Sequence, residues 1–352
     1  MSISEKEIVQ ENLLQKINAI SDLERLDPYP NYLAHGDYGT RIERACRFIP
    51  PKYHAFARAL FANVIYVPSI ILDEAWRYHL RQLRRLYKLD RNNILSNALL
   101  LGEDADLIRR FVYSNNIKGR LDLDRQPRSP RTGDLTKDIL LLKLLQGGFD
   151  SSQALQELAS SLQEEMGRFV KRRYWILLVD NSLSGASLCS ELEKIRTLTE
   201  VVNLDAEIIV LVQIITSDAM RAIDGIKGKH DSKIIGAICL DERFKINSDK
   251  CTLFNDPETL RGARDLCEWF AVEILSKDED YSATRDLTKD NLRYGFKSSG
   301  LTLVTPNCPS NSVPPIWYHK PNVYEGPYPR VESRTSQVRS VDSLVARALV
   351  AV

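Results

Sequence analysis

Apolar residues in the first part of the chain recur every three or four positions, which is the spacing of one helical face. They predict a helix from Ser4 to about Leu26, a second across Tyr53–Tyr66 and a third across Ile70–Tyr87. Pro68 separates the last two, because proline cannot continue one helix but suits the start of the next. The third helix carries a buried stripe of Leu72, Ala75, Trp76, His79, Leu80, Leu83 and Leu86.

The pattern changes in the second half of the chain. Tyr174–Val179, Glu207–Ile215 and Lys233–Leu240 are continuous apolar runs rich in β-branched residues, which is typical of strands covered on both faces. Helical segments at Leu188–Thr199 and Asp218–Ile226 alternate with these runs. The sequence therefore predicts an α/β fold in which helices flank a parallel sheet, preceded by a mainly helical N-terminal region.

Two further elements are expected to complete that layer, a helix across Pro257–Ser276 and a short strand near Leu301–Val304. A helix capped by Asp150 or Ser151 is predicted ahead of the first strand. The proline- and arginine-rich stretch from Arg120 to Gly133 is the predicted domain boundary. The expected organisation is thus a helical region over residues 1–130, an α/β domain over 131–330 and a tail over 331–352.

Composition narrows the class of protein. Basic residues (48) and acidic residues (47) nearly cancel, so any nucleic-acid contact must be a local patch rather than a property of the whole chain. The six cysteines have no metal-binding spacing, which favours a reduced cytoplasmic interior and structural roles for the cysteines and histidines. No apolar run is long enough to cross a bilayer, so we expect a soluble cytoplasmic protein without membrane contact.

The turn after the first apolar run carries the most chemistry. A strand ends at Asp180 and the chain turns through Asn181 and Ser182 before it enters a helix. Freed backbone N–H groups and the hydroxyls of that turn could surround a phosphate, and Asp180 could bind ribose hydroxyls or Mg²⁺. The residues predicted to bind a ribose phosphate are Asp180, Asn181, Ser182, Ser184, Gly185, Ala186 and Ser187. The alternative is an ordinary strand-to-helix turn with a capped helix.

This turn resembles the motif with which type I phosphoribosyltransferases bind phosphoribosyl pyrophosphate (PRPP). In that motif an apolar strand ends in two acids and continues to Thr-Gly-x-Thr. Asp180 matches the second acid, and Ser184 to Ser187 match the phosphate cradle with serine in place of threonine. Val179 stands where the first acid belongs, and Leu183 stands where some members place a catalytic carboxylate. The resemblance therefore implies phosphoribose binding more than it implies transfer chemistry, for which Asp180 is the candidate catalytic residue.

A second stretch, from Leu301 to Trp317, resembles the strand and proline-braced loop near the end of phosphoribosyltransferase-like proteins of bacterial conflict systems. Its candidate substrate-loop residues are Asn307, Asn311, Ser312 and Trp317. The alternative is a proline-rich loop that folds onto the core. The resemblance implies an antiphage effector, with a nucleotide or PRPP as ligand and Mg²⁺ as cofactor. Its implied partner is a reverse transcriptase with structured RNA or DNA, as in retrons, and the oligomeric state stays open.

Basic residues form two further candidates. One side of the third helix carries a basic ridge of possible nucleic-acid contacts, namely Arg77, Arg81, Arg84, Arg85 and Lys88. Arg293 and Tyr294, just before Gly295, could close on a phosphate. The alternative for the ridge is an ordinary solvated helix face.

Three classes of function follow. The first is an enzyme, a glycosyltransferase or nucleotide glycosidase, that acts on a glycosidic or phosphoribosyl bond. The second is a nucleotide-sensing regulator that has kept the pocket and lost the chemistry, which Val179 and Leu183 would suit. The third is a scaffold that binds a partner or RNA through its helical front.

Overall fold

The computed structural model describes residues 3–26, 36–102, 105–117, 172–201, 206–226, 232–278, 281, 289–305 and 308–329. The chain forms two compact units. We call Ile70–Arg243 the sheet unit, and Met1–Ser69 together with Phe244–Val352 the helical unit. The predicted boundary at 120–133, the predicted helix after Ser151 and the tail over 331–352 lie outside the described residues. The predicted domain limits therefore stay a prediction.

The sheet unit is built on a parallel sheet of four strands. Its strands are β2 (Ala98–Gly102), β3 (Tyr174–Ser182), β4 (Glu207–Thr216) and β5 (Lys233–Leu240). They lie in the order β2-β3-β4-β5, with Tyr174 opposite Glu207 in the central pair. Burial explains the continuous apolar run of β4, because every residue from 208 to 216 is buried, whereas β5 is only partly buried.

Helices cover the two faces of this sheet. One face packs against the first long helix of the unit, α4 (Ser69–Tyr87), and against α6 (Ala105–Ser114). The other face packs against α7 (Ala186–Val201) and α8 (Ser217–Ile226), which alternate with the strands along the chain. A single turn of helix, α5 (Ile94–Asn97), leads into β2. The predicted α/β fold with a parallel sheet flanked by helices is confirmed.

The buried stripe of α4 is present, with one exception. Leu72, Ala75, Trp76, His79 and Leu83 are buried, but Leu86 is 46% exposed, so its prediction as a core residue is wrong. His79 is a core histidine whose Nε2 lies 3.0 Å from the Ile235 carbonyl oxygen. Burial lowers its pKa to about 4, so the ring is neutral at physiological pH.

The helical unit contains the N-terminal helices and the last third of the described chain. Its longer helices are α1 (Ile3–Leu26), α2 (Tyr38–Cys46), α3 (His54–Ala62) and α9 (Pro257–Phe270), the last continuing as a π-helical turn over Ala271–Leu275. Its short elements are β1 (Ile65–Tyr66), α10 (Lys289–Tyr294), β6 (Leu303–Val304), α11 (Pro314–Trp317), β7 (His319–Lys320) and β8 (Tyr324–Glu325).

A buried ion pair fastens α1 inside this unit. Arg41 donates to both carboxylate oxygens of Glu24 and, at 2.9 Å, to the carbonyl oxygen of Pro327. The guanidinium also lies 4.9 Å from the ring centroid of Tyr328. Breaking such a pair leaves an uncompensated buried charge, so these contacts fix where α1 packs.

Two predicted elements differ from the structure. The helix predicted to reach Tyr66 stops at Ala62, because the Asn63 amide caps the Ala59 carbonyl at 2.8 Å and the chain then enters β1. The strand predicted near Leu301–Val304 exists as β6, but it pairs with β1 in a separate two-stranded sheet and does not extend the large sheet. Within the described residues, no helix is long and apolar enough to span a membrane.

Candidate functional site

The 180–187 loop comprises the last residues of β3, the turn of residues 183–185 and the first residues of α7, in the predicted order of strand, turn and helix. The strand runs on to Ser182 and does not end at Asp180 as predicted. Asp180 is exposed near the end of the strand, and one of its carboxylate oxygens accepts a hydrogen bond from the Asn181 N–H at 2.6 Å. The carboxyl ends of strands in open parallel sheets are where such folds bind ligands. Asp180 therefore faces solvent at the edge where a ligand is expected.

The start of α7 provides backbone donors. Its first intrahelical hydrogen bond runs from the Cys189 N–H to the Gly185 carbonyl at 2.8 Å, so the N–H groups of Ala186, Ser187 and Leu188 precede it. The Ser184 hydroxyl lies 3.5 Å from the Ala186 nitrogen, a long contact. Ala186 and Ser187 are exposed, so an anion at this end of α7 could accept these N–H groups.

Gly185 is required by local packing as well as by its backbone conformation. Its φ of 79° lies in the left-handed region that favours glycine. A Cβ atom at this position would stand 2.9 Å from the Ala222 Cβ and 3.1 Å from the Ala219 Cα, both on α8. The glycine therefore lets the loop pack directly on α8, a structural role that does not depend on a ligand.

A threonine outside the predicted motif braces the same loop. The Thr216 hydroxyl donates to the Leu183 carbonyl at 2.6 Å and accepts from the Ala219 N–H at 3.1 Å. Thr216 is buried, so these bonds hold the loop against the junction of β4 and α8. A loop held in this way needs little reorganisation when a ligand arrives.

The two departures from the phosphoribosyltransferase motif are core positions. Leu183 is only 3% exposed, and Val179 packs on the cluster formed by β3, α7 and α8. Ser182 is also buried, and its hydroxyl has no hydrogen-bond partner among the described residues. The predicted contact of Ser182 with a ligand would need a local rearrangement, and it stays a prediction.

The oxygen donors of this loop suit Mg²⁺ better than a softer metal, because Asp180, Asn181 and Ser184 offer carboxylate, amide and hydroxyl oxygens. Among the described residues, no group of three His, Cys, Asp or Glu side chains could hold a metal ion. Magnesium is commonly held by one or two carboxylates together with water and substrate phosphates. A magnesium ion that arrives with a phosphorylated ligand, with Asp180 as its protein ligand, stays a prediction.

In the segment of residues 308–317, three polar side chains form hydrogen bonds within the protein. Asn311 donates to the Phe296 carbonyl at 3.0 Å, Trp317 donates to the Ser312 carbonyl at 2.7 Å, and the Ser312 hydroxyl donates to the Leu303 carbonyl. All three side chains are buried. These are the contacts of a loop that folds onto the core. Asn307 lies outside the described residues, and a ligand-facing role for this segment stays a prediction.

Comparison with protein families assigns the chain. The family model described as PRTase-CE matches residues 82–330, well over half of the chain. The chain belongs to the PRTase-CE family, a group of phosphoribosyltransferase-like conflict effectors. No curated protein and no solved structure matches it significantly.

The PRTase-CE match begins within α4 and includes both the 180–187 loop and the 308–317 segment. It therefore reaches further towards the N-terminus than the predicted α/β domain. Strand β2, which the sequence analysis did not predict, lies inside it and pairs with β3 over Ala98–Gly102. The strand that delivers Asp180 is thus flanked by a partner on each side.

In this PRTase-CE chain, charged residues that follow strands β4 and β5 were not among the predicted site residues. On α8, Arg221 pairs with Asp218 and, at 3.1 Å, with Glu242, and the hydrogen bond with Asp218 raises the pKa of Arg221. After β5, Arg243 pairs with Asp241 at 2.9 Å and lowers the pKa of that carboxyl. Because carboxyl ends of parallel strands share one edge, the residues after β4 and β5 were as predictable as Asp180.

Arg293 is held by neighbouring side chains. It pairs with Glu268 and lies 5.3 Å from the ring centroid of Tyr294. Burial raises the pKa of Tyr294. The predicted closing of Arg293 and Tyr294 on a phosphate would have to replace the bond to Glu268, and it stays a prediction.

The five predicted ridge residues of α4 are all exposed, but they differ in their contacts. Arg77 pairs with Glu74 and donates to the Ser114 carbonyl at 3.1 Å, so it is tied to its own unit. Arg81, Arg84, Arg85 and Lys88 have no ion pair among the described residues.

Proposed function

We propose that the chain binds a phosphorylated ribose, as PRPP or as part of a nucleotide, in the 180–187 loop and acts on its glycosidic or phosphoribosyl bond. Membership of the PRTase-CE family supports the ligand class. The observation that carries the proposal is the exposed carboxylate of Asp180 beside the exposed N–H groups at the start of α7. Acid and donors together match a sugar with hydroxyls at one end and a phosphate at the other.

Each group has a distinct task in this proposal. The N–H groups of Ala186 and Ser187, with the Ser184 and Ser187 hydroxyls, hold the 5′-phosphate. Asp180 accepts hydrogen bonds from ribose hydroxyls and places its negative charge near the sugar, where an oxocarbenium-like transition state develops positive charge. When bound, Mg²⁺ would neutralise charge on a pyrophosphate leaving group. Placement and electrostatics then supply most of the rate, since the loop is already braced by Thr216.

Ligand binding and turnover are measured separately. The purified chain is titrated calorimetrically with PRPP, NAD and a set of nucleotides, with and without Mg²⁺, and products are followed by mass spectrometry. Asp180→Asn keeps the shape and removes the charge, so we expect at least about tenfold weaker binding, because hydrogen bonds to a charged group are worth about 1.5–3 kcal/mol. Ser187→Ala is expected to weaken binding about fivefold, for the loss of roughly 1 kcal/mol.

Asp106→Asn is the matched control, since it removes an exposed carboxylate from α6 of the same unit. It is expected to change neither binding nor turnover. Failure of the wild-type chain to bind any of these phosphoribosyl ligands would rule the proposal out. Equal effects of Asp180→Asn and Asp106→Asn would do the same.

A second candidate is a nucleotide-sensing regulator without chemistry. It is favoured by Val179 and Leu183, which place apolar core side chains where the phosphoribosyltransferase motif has or can have carboxylates. Saturable binding that is weakened by Asp180→Asn but produces no turnover identifies this function. Turnover that Asp180→Asn abolishes identifies the enzyme.

The biological part of the proposal is an antiphage effector acting in the bacterial cytoplasm, with a reverse transcriptase and its structured RNA as the proposed partner. Its support is the family assignment. Phage challenge of cells that carry the gene with its neighbours, compared with the Asp180→Asn variant, is the measurement. Equal plating efficiency with and without the wild-type gene would contradict a defensive role.

A further inference from the structure

Six basic residues from two stretches of chain gather where the strands of the large sheet begin. They are Arg84, Arg85, Lys88, Arg91, Arg172 and Arg173, which we call the amino-edge basic cluster. Two contacts bring the stretches together, since Arg172 donates to the Ser96 carbonyl and the Tyr174 and Tyr87 rings lie 5.5 Å apart. The guanidinium of Arg173 lies 5.2 Å from the centroid of the same Tyr174 ring.

The amino-edge basic cluster combines six basic residues with a lack of ion pairs. Several exposed arginines elsewhere pair with an acid, as in Arg58 with Glu43 and Arg109 with Asp106. No member of the cluster has an acidic partner within ion-pair distance among the described residues. A chain with nearly equal acidic and basic totals therefore concentrates unneutralised charge at one place.

Two acidic residues come near the cluster, and each is engaged in another contact. The Asp90 carboxylate accepts from the Asn92 N–H at 2.8 Å within its own turn. Glu207 hydrogen-bonds Tyr87, and burial together with this acid raises the pKa of that phenol to about 12. Neither acid pairs with a cluster residue, so the positive charge faces solvent.

Lys88 adds an independent observation. It has a left-handed φ of 60°, at the position after the end of α4 where helices commonly have glycine. The Lys88 N–H bonds the Arg84 carbonyl at 3.2 Å, which is the single bond of an αL helix cap, and the Leu89 N–H bonds the Leu83 carbonyl at 3.3 Å. A side chain is strained in this conformation. The chain thus keeps a lysine where glycine would stabilise the fold.

We infer that the amino-edge basic cluster binds the phosphodiester backbone of a nucleic acid. Six cations from two stretches of chain are more than one phosphate group can pair with, whereas successive phosphates of a polymer can each pair with one. The inference does not rest on ligand binding by the 180–187 loop, because the cluster shares no residue with that loop. The inference gives the Arg84, Arg85 and Lys88 part of the predicted ridge a specific role and adds Arg91, Arg172 and Arg173 to it.

The test is fluorescence anisotropy with a labelled RNA hairpin and a DNA hairpin of the same sequence, from low to high salt. The triple variant Arg84→Gln, Arg85→Gln, Lys88→Gln removes three charges and is expected to bind about tenfold more weakly at physiological salt. Its plot of log affinity against log salt should be shallower by about 2, since each phosphate contact contributes about 0.7–0.9. Lys250→Gln, Arg261→Gln and Lys277→Gln together form the control, expected to change affinity less than about twofold.

Similar affinity for both hairpins identifies backbone recognition, and preference for RNA adds a contact to the 2′-hydroxyl. No binding of either hairpin by the wild-type chain at low salt overturns the inference. An unchanged salt dependence in the triple variant, or an equal loss in the control, also overturns it.

Lys88→Gly separates binding from folding. It is expected to raise the melting temperature by about 2–4 °C, since it relieves strain, and to weaken nucleic-acid binding at the same time. A variant that is more stable and binds less cannot have lost binding by unfolding. A more stable variant with unchanged affinity would show that Lys88 does not contribute to nucleic-acid binding.

Discussion

The 180–187 loop and the 308–317 segment both resemble elements of phosphoribosyltransferase-like proteins, but they use their polar groups in opposite ways. In the segment, Asn311, Ser312 and Trp317 are buried and bonded to backbone carbonyls. In the loop, Ala186 and Ser187 are exposed at a helix start whose N–H groups precede the first intrahelical bond. The comparison teaches that a polar residue in a motif is available to a ligand only where the fold has left its hydrogen-bonding capacity unused.

Although parts of the 180–187 loop are exposed, its backbone is held in place. Thr216 fixes the Leu183 carbonyl and Gly185 packs on α8, so only the outer groups of the loop are left for a ligand. The segment lacks such an open side at its motif residues, since the side chains of Asn311, Ser312 and Trp317 are all buried. Substitutions in the segment should therefore affect stability, whereas those at the outer positions of the loop should affect binding.

The largest effect is expected for Trp317→Ala. The side chain is 5% exposed and its indole donates to the Ser312 carbonyl at 2.7 Å, so its removal leaves a cavity and an unpaired carbonyl. We expect a loss of about 3–5 kcal/mol in the free energy of unfolding, measured by chemical denaturation. Trp317→Phe, which keeps an aromatic ring but not the donor, should lose less. A loss below about 1 kcal/mol for the alanine variant would contradict the structural role of the 308–317 segment, because it would place Trp317 outside the core.

The next effect is expected for Gly185→Ala. The new Cβ would meet Ala222 and Ala219 while φ remains in the left-handed region. We expect a destabilisation of about 2 kcal/mol, from strain and from displacement of the loop off α8. Gly225→Ala on the same helix pair is the control, because a Cβ there meets nothing within 4 Å. Equal stability of the two variants would show that the loop is free to move away from α8, contrary to a braced site.

Long apolar runs predicted the framework of the fold well. Strands β3, β4 and β5 begin at the predicted residues. The continuous apolar runs of β3 and β4 match their burial on both faces, whereas β5 is only partly buried. Strand β2 was missed because a five-residue apolar run cannot be distinguished from a piece of buried helix by its period. The pairing of β1 with β6 joins residues far apart in the chain, so the sequence predicted the strand near Leu301–Val304 but not its partner.

Only the part of the site that is local in sequence could be predicted. Asp180, Gly185 and the serines are local in sequence, so the order of strand, acid, glycine and helix was visible. The support from Thr216 and the contact with Ala219 and Ala222 depend on which helix packs beside the loop, and that is decided by the tertiary fold. The buried bonds of Asn311 and Ser312 are of this second kind, which is why the sequence could not decide between a ligand-facing and a structural segment.

The smallest effects are expected for two serine-to-alanine substitutions, one in the 308–317 segment and one in the 180–187 loop. Ser312→Ala removes a fully buried hydroxyl that donates to the Leu303 carbonyl, so we expect a loss of about 1–2 kcal/mol in unfolding free energy. Ser187→Ala removes an exposed hydroxyl, and we expect a change within about 0.5 kcal/mol. Denaturation curves of the two variants, recorded side by side with titrations of PRPP, give both quantities.

Ser187→Ala should weaken PRPP binding without a change in stability, because an exposed hydroxyl at a helix start has little to do in the folded chain besides contact a ligand. Ser312→Ala should show the reverse pattern, since its hydroxyl already has a partner in the protein. If Ser312→Ala left stability unchanged and weakened binding, the segment would be a second ligand-binding element and its buried bonds would have to open when the ligand binds. If Ser187→Ala destabilised the chain by more than about 1 kcal/mol, the hydroxyl would be part of the helix cap and the loop would offer a ligand one group fewer.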